Sequence, residues 1–458
     1  MLKILETYLK HSFVLTLTAI FMPPSAVGSS KVTLDQVLDM AMSYTATGMQ
    51  IVEQTYQSGK EEVRIYRAQA LPKLDFNLTS LQANEYVGGA AFPVGEDARS
   101  FGHRHEVGLS FVAPIFSFGR LSSVYSLASI QSDIVESSRE LARSEYIMNI
   151  LQSYSNAIVT QKNLEVATWE ASYARRIYEF THVEKNRGGA TQIDYLRAKS
   201  QLVSAEANEV LAREEAETSL ALLKVDLGQP SNADFMLDLV QIPQSKFFYL
   251  KLEKNQQKPI TTLTSRTLAL QRLQVDLLEK QETFYHRSYW PSLSLIANSG
   301  QSATDISGQI SPTGEGSLES LAKVDRWNHY IGLRLDWQLF SGLETSARAF
   351  KASADYVKAK LELSQSERRL FIEREGISAR VQAVEKLLNA ARQSEEAMKQ
   401  AFEKSEQDYK SGSLSYPQFV EVSRDFAAAQ RQVMKVIAEK ILVVAKSRLT
   451  SGVSISGE

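Results

Sequence analysis

Apolar positions recur along the chain with two different periods. From about residue 120 onward they fall at alternating intervals of four and three, as in Ile147, Leu151, Tyr154 and Ile158, and the spacing returns in Ile377, Val381, Val384 and Leu388. It belongs to a helix whose apolar stripe packs lengthwise on another helix. Proline usage agrees: none of the eleven lies between Pro114 and Pro230, and only Pro417 lies beyond Pro312, so these stretches hold no strong helix breaker. A helix running from 120 to 183 would be roughly 95 Å long at ~1.5 Å per residue, which predicts lengthwise hairpins rather than a globular core.

The second period is two. Leu74, Phe76 and Leu78 alternate with Asp75, Asn77 and Thr79, while Ile331, Leu333, Leu335, Trp337 and Leu339 alternate with Gly332, Arg334, Asp336 and Gln338. Strands are expected near 70–82, 106–117, 289–299 and 329–341. A soluble half-buried sheet would alternate in the same way. Length tilts the balance, because about ten residues suits a tilted membrane strand. So do the aromatics near the strand ends, Phe116, Phe118, Tyr289, Trp290, Trp327, Tyr330 and Phe340. The intervening residues 83–104 and 302–326 are rich in Gly, Ser and charge and read as exposed loops.

Two breaks interrupt the helical pattern, KNRGGATQIDYLRA at 185–198 and YKSGSLSYPQFVEV at 409–422. Gly188 and Gly189 can end a helix in left-handed geometry; Thr191 then caps the next helix with Asp194 at its third position, a capping box with Asp in place of Glu. In the second stretch Gly412 terminates, Ser415 caps, Gln418 takes the third position and Pro417 falls in the tolerant first turn. Both read as hairpin tips, at 187–191 and 410–415, each joining a helix of ~60 residues to one of ~35–40.

The tips superimpose at an offset of 224 residues. EVGLSFVAPIFSFG at 106–119 matches YIGLRLDWQLFSG at 330–342 at the same offset, pairing Gly108 with Gly332 and Phe116 with Phe340. ALPKLDFNLTSLQ at 70–82 matches YWPSLSLIANSGQ at 289–301, with Pro72 against Pro291. Three landmarks in one order indicate a unit written twice. The first repeat spans 29–228 with its hairpin at 119–228, and the second spans 286–450 with its hairpin at 343–450. Residues 229–285 form an equatorial linker and helix, and 451–458 a polar tail.

Composition narrows the function. Lys and Arg total 51 against 53 Asp and Glu, so no basic field is available for nucleic acid. No cysteine is present, which removes disulfides, thiol nucleophiles and a lipid-bearing N-terminal cysteine. Residues 1–28 carry Lys3 and Lys10, an apolar run from Phe13 to Met22 and a small Ala26-x-Gly28 site, as expected of a cleaved export signal. Of six histidines only His103-Arg104-His105-Glu106 clusters; alternating imidazoles could face a metal, but a polar strand entrance fits as well. Gly-rich 308–316 lacks the lysine of a phosphate loop. No nucleophile, base and orienting partner assemble, so neither an enzyme nor a cofactor is expected.

Four strands cannot close a barrel, and open edges are not tolerated in lipid. Strands in a membrane would therefore have to be shared between chains, and three copies supply twelve strands and six helical hairpins. The LPKLDFNL first strand, the P-I-F-S-F-G and Q-L-F-S-G ends of the second strands and the duplicated Gly-x-x-Thr/Ser tips resemble the TolC family of outer-membrane ducts. The resemblance implies an α+β membrane protein. It would be a homotrimer with a twelve-stranded β-barrel in the outer membrane of a Gram-negative bacterium and a periplasmic barrel of long α-helical hairpins. A belt would come from 31–68, 229–285 and the tail. Such ducts pass substrates outward from an inner-membrane pump and a periplasmic adaptor, in tripartite efflux or type I secretion.

The resemblance also assigns residues. Arg187, Gly188, Gly189 and Ala190 in one tip, and Ser411, Gly412, Ser413 and Leu414 in the other, correspond to adaptor-docking positions. Asp194 and Tyr409 correspond to two members of a periplasmic clasp whose third member, an arginine, is Leu414 here; Arg187 or Lys410 could substitute. Gln418 and Glu421 match two acidic pore rings, of which only Glu421 keeps its charge. Asp75, Asn77, Arg334 and Asp336 are expected to line the barrel lumen, and their mixed signs name no cargo. The alternative reading is an exported coiled-coil scaffold without a pore.

Overall fold

Two helices of 68 and 67 residues dominate the computed structural model, which describes residues 30–43, 46–86, 98–230, 235–239, 242, 245–249, 265–310 and 317–451. The export signal, the tail beyond 451, and parts of 83–104, 229–285 and 302–326 lie outside the described residues. The elements run β1 Ser30–Val32, α1 Leu34–Met42, α2 Thr47–Ala68, β2 Lys73–Tyr86, β3 Ala98–Phe116, α3 Arg120–Arg187 and α4 Gln192–Asp226. There follow β4 Phe235–Leu237, α5 Lys246–Tyr249, α6 Arg266–His286, β5 Ser292–Ile310, β6 Ser317–Asp336, α7 Glu344–Lys410 and α8 Tyr416–Ser451.

α3 and α7 each reach about 100 Å at ~1.5 Å per residue. They return as α4 and α8, of 35 and 36 residues, so each hairpin leaves an upper half of the long helix without its return partner. α6 packs against both α3 and α7 there, and α2 packs on α3. Close approach of α2 depends on two glycines: a Cβ on Gly48 would fall 2.1 Å from the Tyr146 ring, and one on Gly59 2.8 Å from Val135.

The main core forms a girdle around the middle of the helices. Leu34, Val37, Leu38 and Ala41 of α1 join Phe235, Leu237, Ile242 and Phe247 against Ile147, Leu151, Tyr154 and Ile158 of α3 and Ile437, Ile441 and Ala445 of α8. β1 and β4 pair in parallel beside it. Thr33 opens α1 with a full capping box: its hydroxyl accepts from the Gln36 backbone N–H, and the Gln36 side chain accepts from the Thr33 N–H.

The other strands form one antiparallel sheet in the order β2-β3-β5-β6. They run to 14, 19, 19 and 20 residues, longer than their apolar alternation suggests. Most described parts of 83–104 and 302–326, expected as loops, are ladder instead, with Arg104 opposite Leu81 and Thr304 opposite Arg104. Backbone pairing does not need apolar side chains, so it continues where the alternation stops. At the opposite end the strands are shorter than expected: Tyr289 sits in a 3₁₀ turn and β6 ends at Asp336, leaving Trp337, Leu339 and Phe340 in the connection to α7.

Candidate functional site

The sheet register fixes which side chains share a face. Asp75 lies opposite Ser110, Ser110 opposite Asn298 and Asn298 opposite Tyr330; Asn77 lies opposite Gly108. Arg334 stands four residues beyond Tyr330, and Asp336 two further on, so Asp75, Asn77, Arg334 and Asp336 are all on one polar face. Arg334 Nε donates to Asp336 Oδ2 at 3.0 Å.

The other face is apolar and open. Leu74, Phe111, Ala297 and Ile331 form one row across it, and Leu74, Phe76, Ile331 and Leu333 are 55–76 % exposed. Aromatics mark both ends of this face. Phe118 stacks on Trp290 at 5.3 Å, and the Trp337 indole N–H, just past the end of β6, donates to the Tyr289 carbonyl; ten residues earlier in the chain, Trp327 within β6 stacks on His329. The interval is about 33 Å along a strand, or about 25 Å vertically at a tilt of 35–45°, the height of an outer-membrane apolar band. Among the described residues, the outer edges of β2 and β6 have no strand partner within the sheet.

His105 Nδ1 is 3.0 Å from Ser80 Oγ on this same face, and the His103 side chain lies outside the described residues. Among the described residues no group of three potential ligands could hold a metal.

The tips are built alike. Gly188 has φ +81° and Gly412 φ +79°, the left-handed region that closes a helix at little cost only for glycine. The Gly189 and Ala190 N–H groups donate to the Glu184 carbonyl, and those of Ser413 and Leu414 donate to the Asp408 carbonyl. Caps then differ by side-chain length. Thr191 Oγ1 accepts from the Asp194 N–H at 3.1 Å and donates to the Asp194 carboxylate at 2.7 Å. Gln418, one methylene longer, accepts from both the hydroxyl and the backbone N–H of Ser415. Arg187, Gly188, Gly189, Ser411, Gly412 and Ser413 are exposed, while Ala190 and Leu414 are half-buried.

Above the tips lies an aromatic cluster that the sequence reading missed. Tyr173, Phe402, Tyr416, Phe419 and Phe426 are buried together, with Trp169 and Tyr409 against them. The signal was present in the heptad series 402, 409, 416 and the pair 419, 426.

Tyr409 packs against this cluster. Its ring stacks on Phe419 at 5.0 Å with planes 13° apart, and its hydroxyl is 3.2 Å from the Thr181 hydroxyl. Burial pushes its pKa up, reinforced by the charges of Asp194 and Glu184. The Asp194 carboxylate is engaged by Thr191. Neither cation considered for the missing arginine reaches across: Arg187 pairs with Glu184 and Lys410 with Glu406 on their own helices. Glu421 is exposed one turn beyond Gln418.

Comparison with known proteins places this arrangement. The family model described as outer membrane efflux protein matches residues 46–229 and 262–441. The alkaline protease secretion protein AprF of Pseudomonas aeruginosa is 22 % identical over 299 residues, covering 62 % of this chain and 58 % of that protein. The proteases secretion protein PrtF of Dickeya chrysanthemi is 22 % identical over 323 residues, or 69 % of this chain and 66 % of that protein. The match thus spans less than two thirds of each of these curated relatives. The fold is shared with the CmeC outer membrane channel of Campylobacter jejuni, with a TM-score of 0.71, 17 % identity and coverage of 94 % of this chain and 90 % of that one. An exposed apolar sheet face, a polar reverse and helical hairpins about 100 Å long are parts of one known architecture: the chain belongs to the outer membrane efflux protein family, with its sheet in the outer membrane and its helical part in the periplasm.

Proposed function

We propose that three copies of the chain share a twelve-stranded barrel and a helical tube, forming the exit duct of a tripartite export system. The unpaired edges of β2 and β6 carry this reading. Each would leave a row of backbone groups unsatisfied in hydrocarbon, and pairing β6 of one copy with β2 of the next removes every edge. The polar face with Asp75, Asn77, Arg334 and Asp336 then lines the lumen. Duplication of an ancestral unit, 29–228 and 286–450, explains why six similar hairpins can close a ring. Channel architecture supports a conduit without catalytic activity of its own.

The exposed tips dock a periplasmic adaptor, which couples the duct to an inner-membrane pump. Protein is the favoured cargo, because both curated relatives are named for protease secretion. Gln418 and Glu421 face the pore at its narrow end, and Asp194 and Tyr409 help to hold that end shut. With Leu414 in place of an arginine, the closed end relies on packing more than on ion pairs. Single-channel recording on Leu414→Arg tests this: conductance falls if the cation restores a lock, and unchanged conductance counts against the assignment. The duct itself is tested by the mass of the detergent-extracted protein before and after boiling. A heat-labile species of three chain masses is expected, and a monomer leaving the membrane with salt alone overturns the reading.

A further inference from the structure

α3 and α8 meet along the girdle core, and the seam between them emerges on the far side of α3 as a second feature, its floor of Val159, Ala438 and Leu442 being the edge of that core. An open groove of about 690 Å³ runs between the two helices, walled by Asn149, Gln152 and Asn156 over a floor of Val159, Ala438 and Leu442. The amides lie about half a turn around α3 from Ile147, Leu151, Tyr154 and Ile158, which carry the girdle. Within a ring of hairpins whose girdle is on the outside, the groove therefore opens to the lumen.

Its chemistry is specific in what it lacks. The wall on α3 is neutral, and Asn149, Gln152 and Asn156 are all exposed, each offering both a donor and an acceptor. Charge is confined to the α8 rim: Lys435 is exposed, and Glu439 is held by Arg380 through Nε at 2.7 Å. Neutral amides over apolar side chains match a peptide main chain, which alternates N–H and C=O groups and carries side chains of any type. From Asn149 to Asn156 the wall is about 10 Å long, the span of roughly three residues of extended chain.

Resting on the duct reading, we infer that this groove is a relay site holding short extended segments of unfolded polypeptide by main-chain hydrogen bonds during passage. Three copies around the axis give three equivalent weak holds, which slow sliding in either direction without selecting sequence.

The test uses the full-length protein in planar bilayers, with an unfolded neutral peptide of Gly, Ser and Asn added on the periplasmic side, and a neutral dextran of equal mass as control. The peptide should produce resolved blockades. Gln152→Ala alone should shorten them about fivefold, the effect of losing one net hydrogen bond, and Asn149→Ala/Gln152→Ala/Asn156→Ala should shorten them further. Equal blockade times in wild type and triple variant, or equally long blockades by dextran, overturn the inference while leaving the duct standing. Absence of any channel would instead overturn the duct. Orientation is checked in whole cells with Gln152→Cys, since the chain has no other cysteine. A small impermeant maleimide added outside should label it, and failure to label would place the groove off the lumen.

Discussion

Removing the Phe419 ring should open the periplasmic end. Phe419 is 1 % exposed and lies against Tyr409, Tyr173 and Phe402 at centroid distances of 5.0, 5.7 and 6.1 Å. Phe419→Ala deletes a fully buried ring, a change that costs about 3–5 kcal/mol. Part of that loss is the Tyr409 stack, worth about 1 kcal/mol. The site is one turn above the tip, so the loss falls on local opening of the hairpin end rather than on the girdle core. At about 4 kcal/mol, the local closed-to-open ratio drops roughly a thousandfold. Hydrogen exchange should show that loss of protection over residues 400–425, while amides near Ile441 stay protected. Single-channel conductance should rise in parallel. Phe419→Leu, which refills much of the volume, should cost less than half as much. Unchanged exchange at the tip, or equal loss of protection at tip and girdle, would refute the view that the aromatic cluster holds this end.

Alkali should loosen the same region. Burial pushes Tyr416 up to about 12 and raises Tyr173 as well. The protonated phenol is favoured in the folded state, so this stability is complete below the ordinary value near 10 and is lost as pH rises through about 12; exchange at the tip should increase across that window. Gly228 has φ +73°, and an added Cβ would lie 2.8 Å from the Thr47 backbone nitrogen. Gly228→Ala should therefore destabilise the α4–α2 junction by about 2 kcal/mol or more, read as a lower heat-dissociation temperature. Leu343 is left-handed at φ +68° and 72 % exposed, so Leu343→Gly should stabilise by about 1 kcal/mol in the same measurement.

What the sequence reveals follows from how local each cause is. Helix ends are legible at Gly188 and Gly412 because a positive φ is a one-residue requirement. The long helices are legible because proline is absent and the four-three spacing persists. Strand limits are not: His103 to Glu106 extends β3 by pairing with residues on β2 and β5, and a polar ladder carries no alternation to read. The direction of Tyr409 was equally hidden. Thr181, its hydroxyl partner, lies 228 residues away in the chain, and no spacing rule connects them. The shared face of Asp75 and Arg334 likewise depends on a register transmitted across three strand pairs.

The open edges of β2 and β6 also bear on inheritance. In the threefold arrangement proposed above, a chain that folds and offers sound edges but carries a defective tip joins wild-type partners as readily as a normal one. If it makes up half of the supply, only about one duct in eight is free of it, since intact assemblies fall as the cube of the wild-type fraction. Such alleles should be dominant. Alleles that damage the edges themselves should be recessive, because their products never enter the ring.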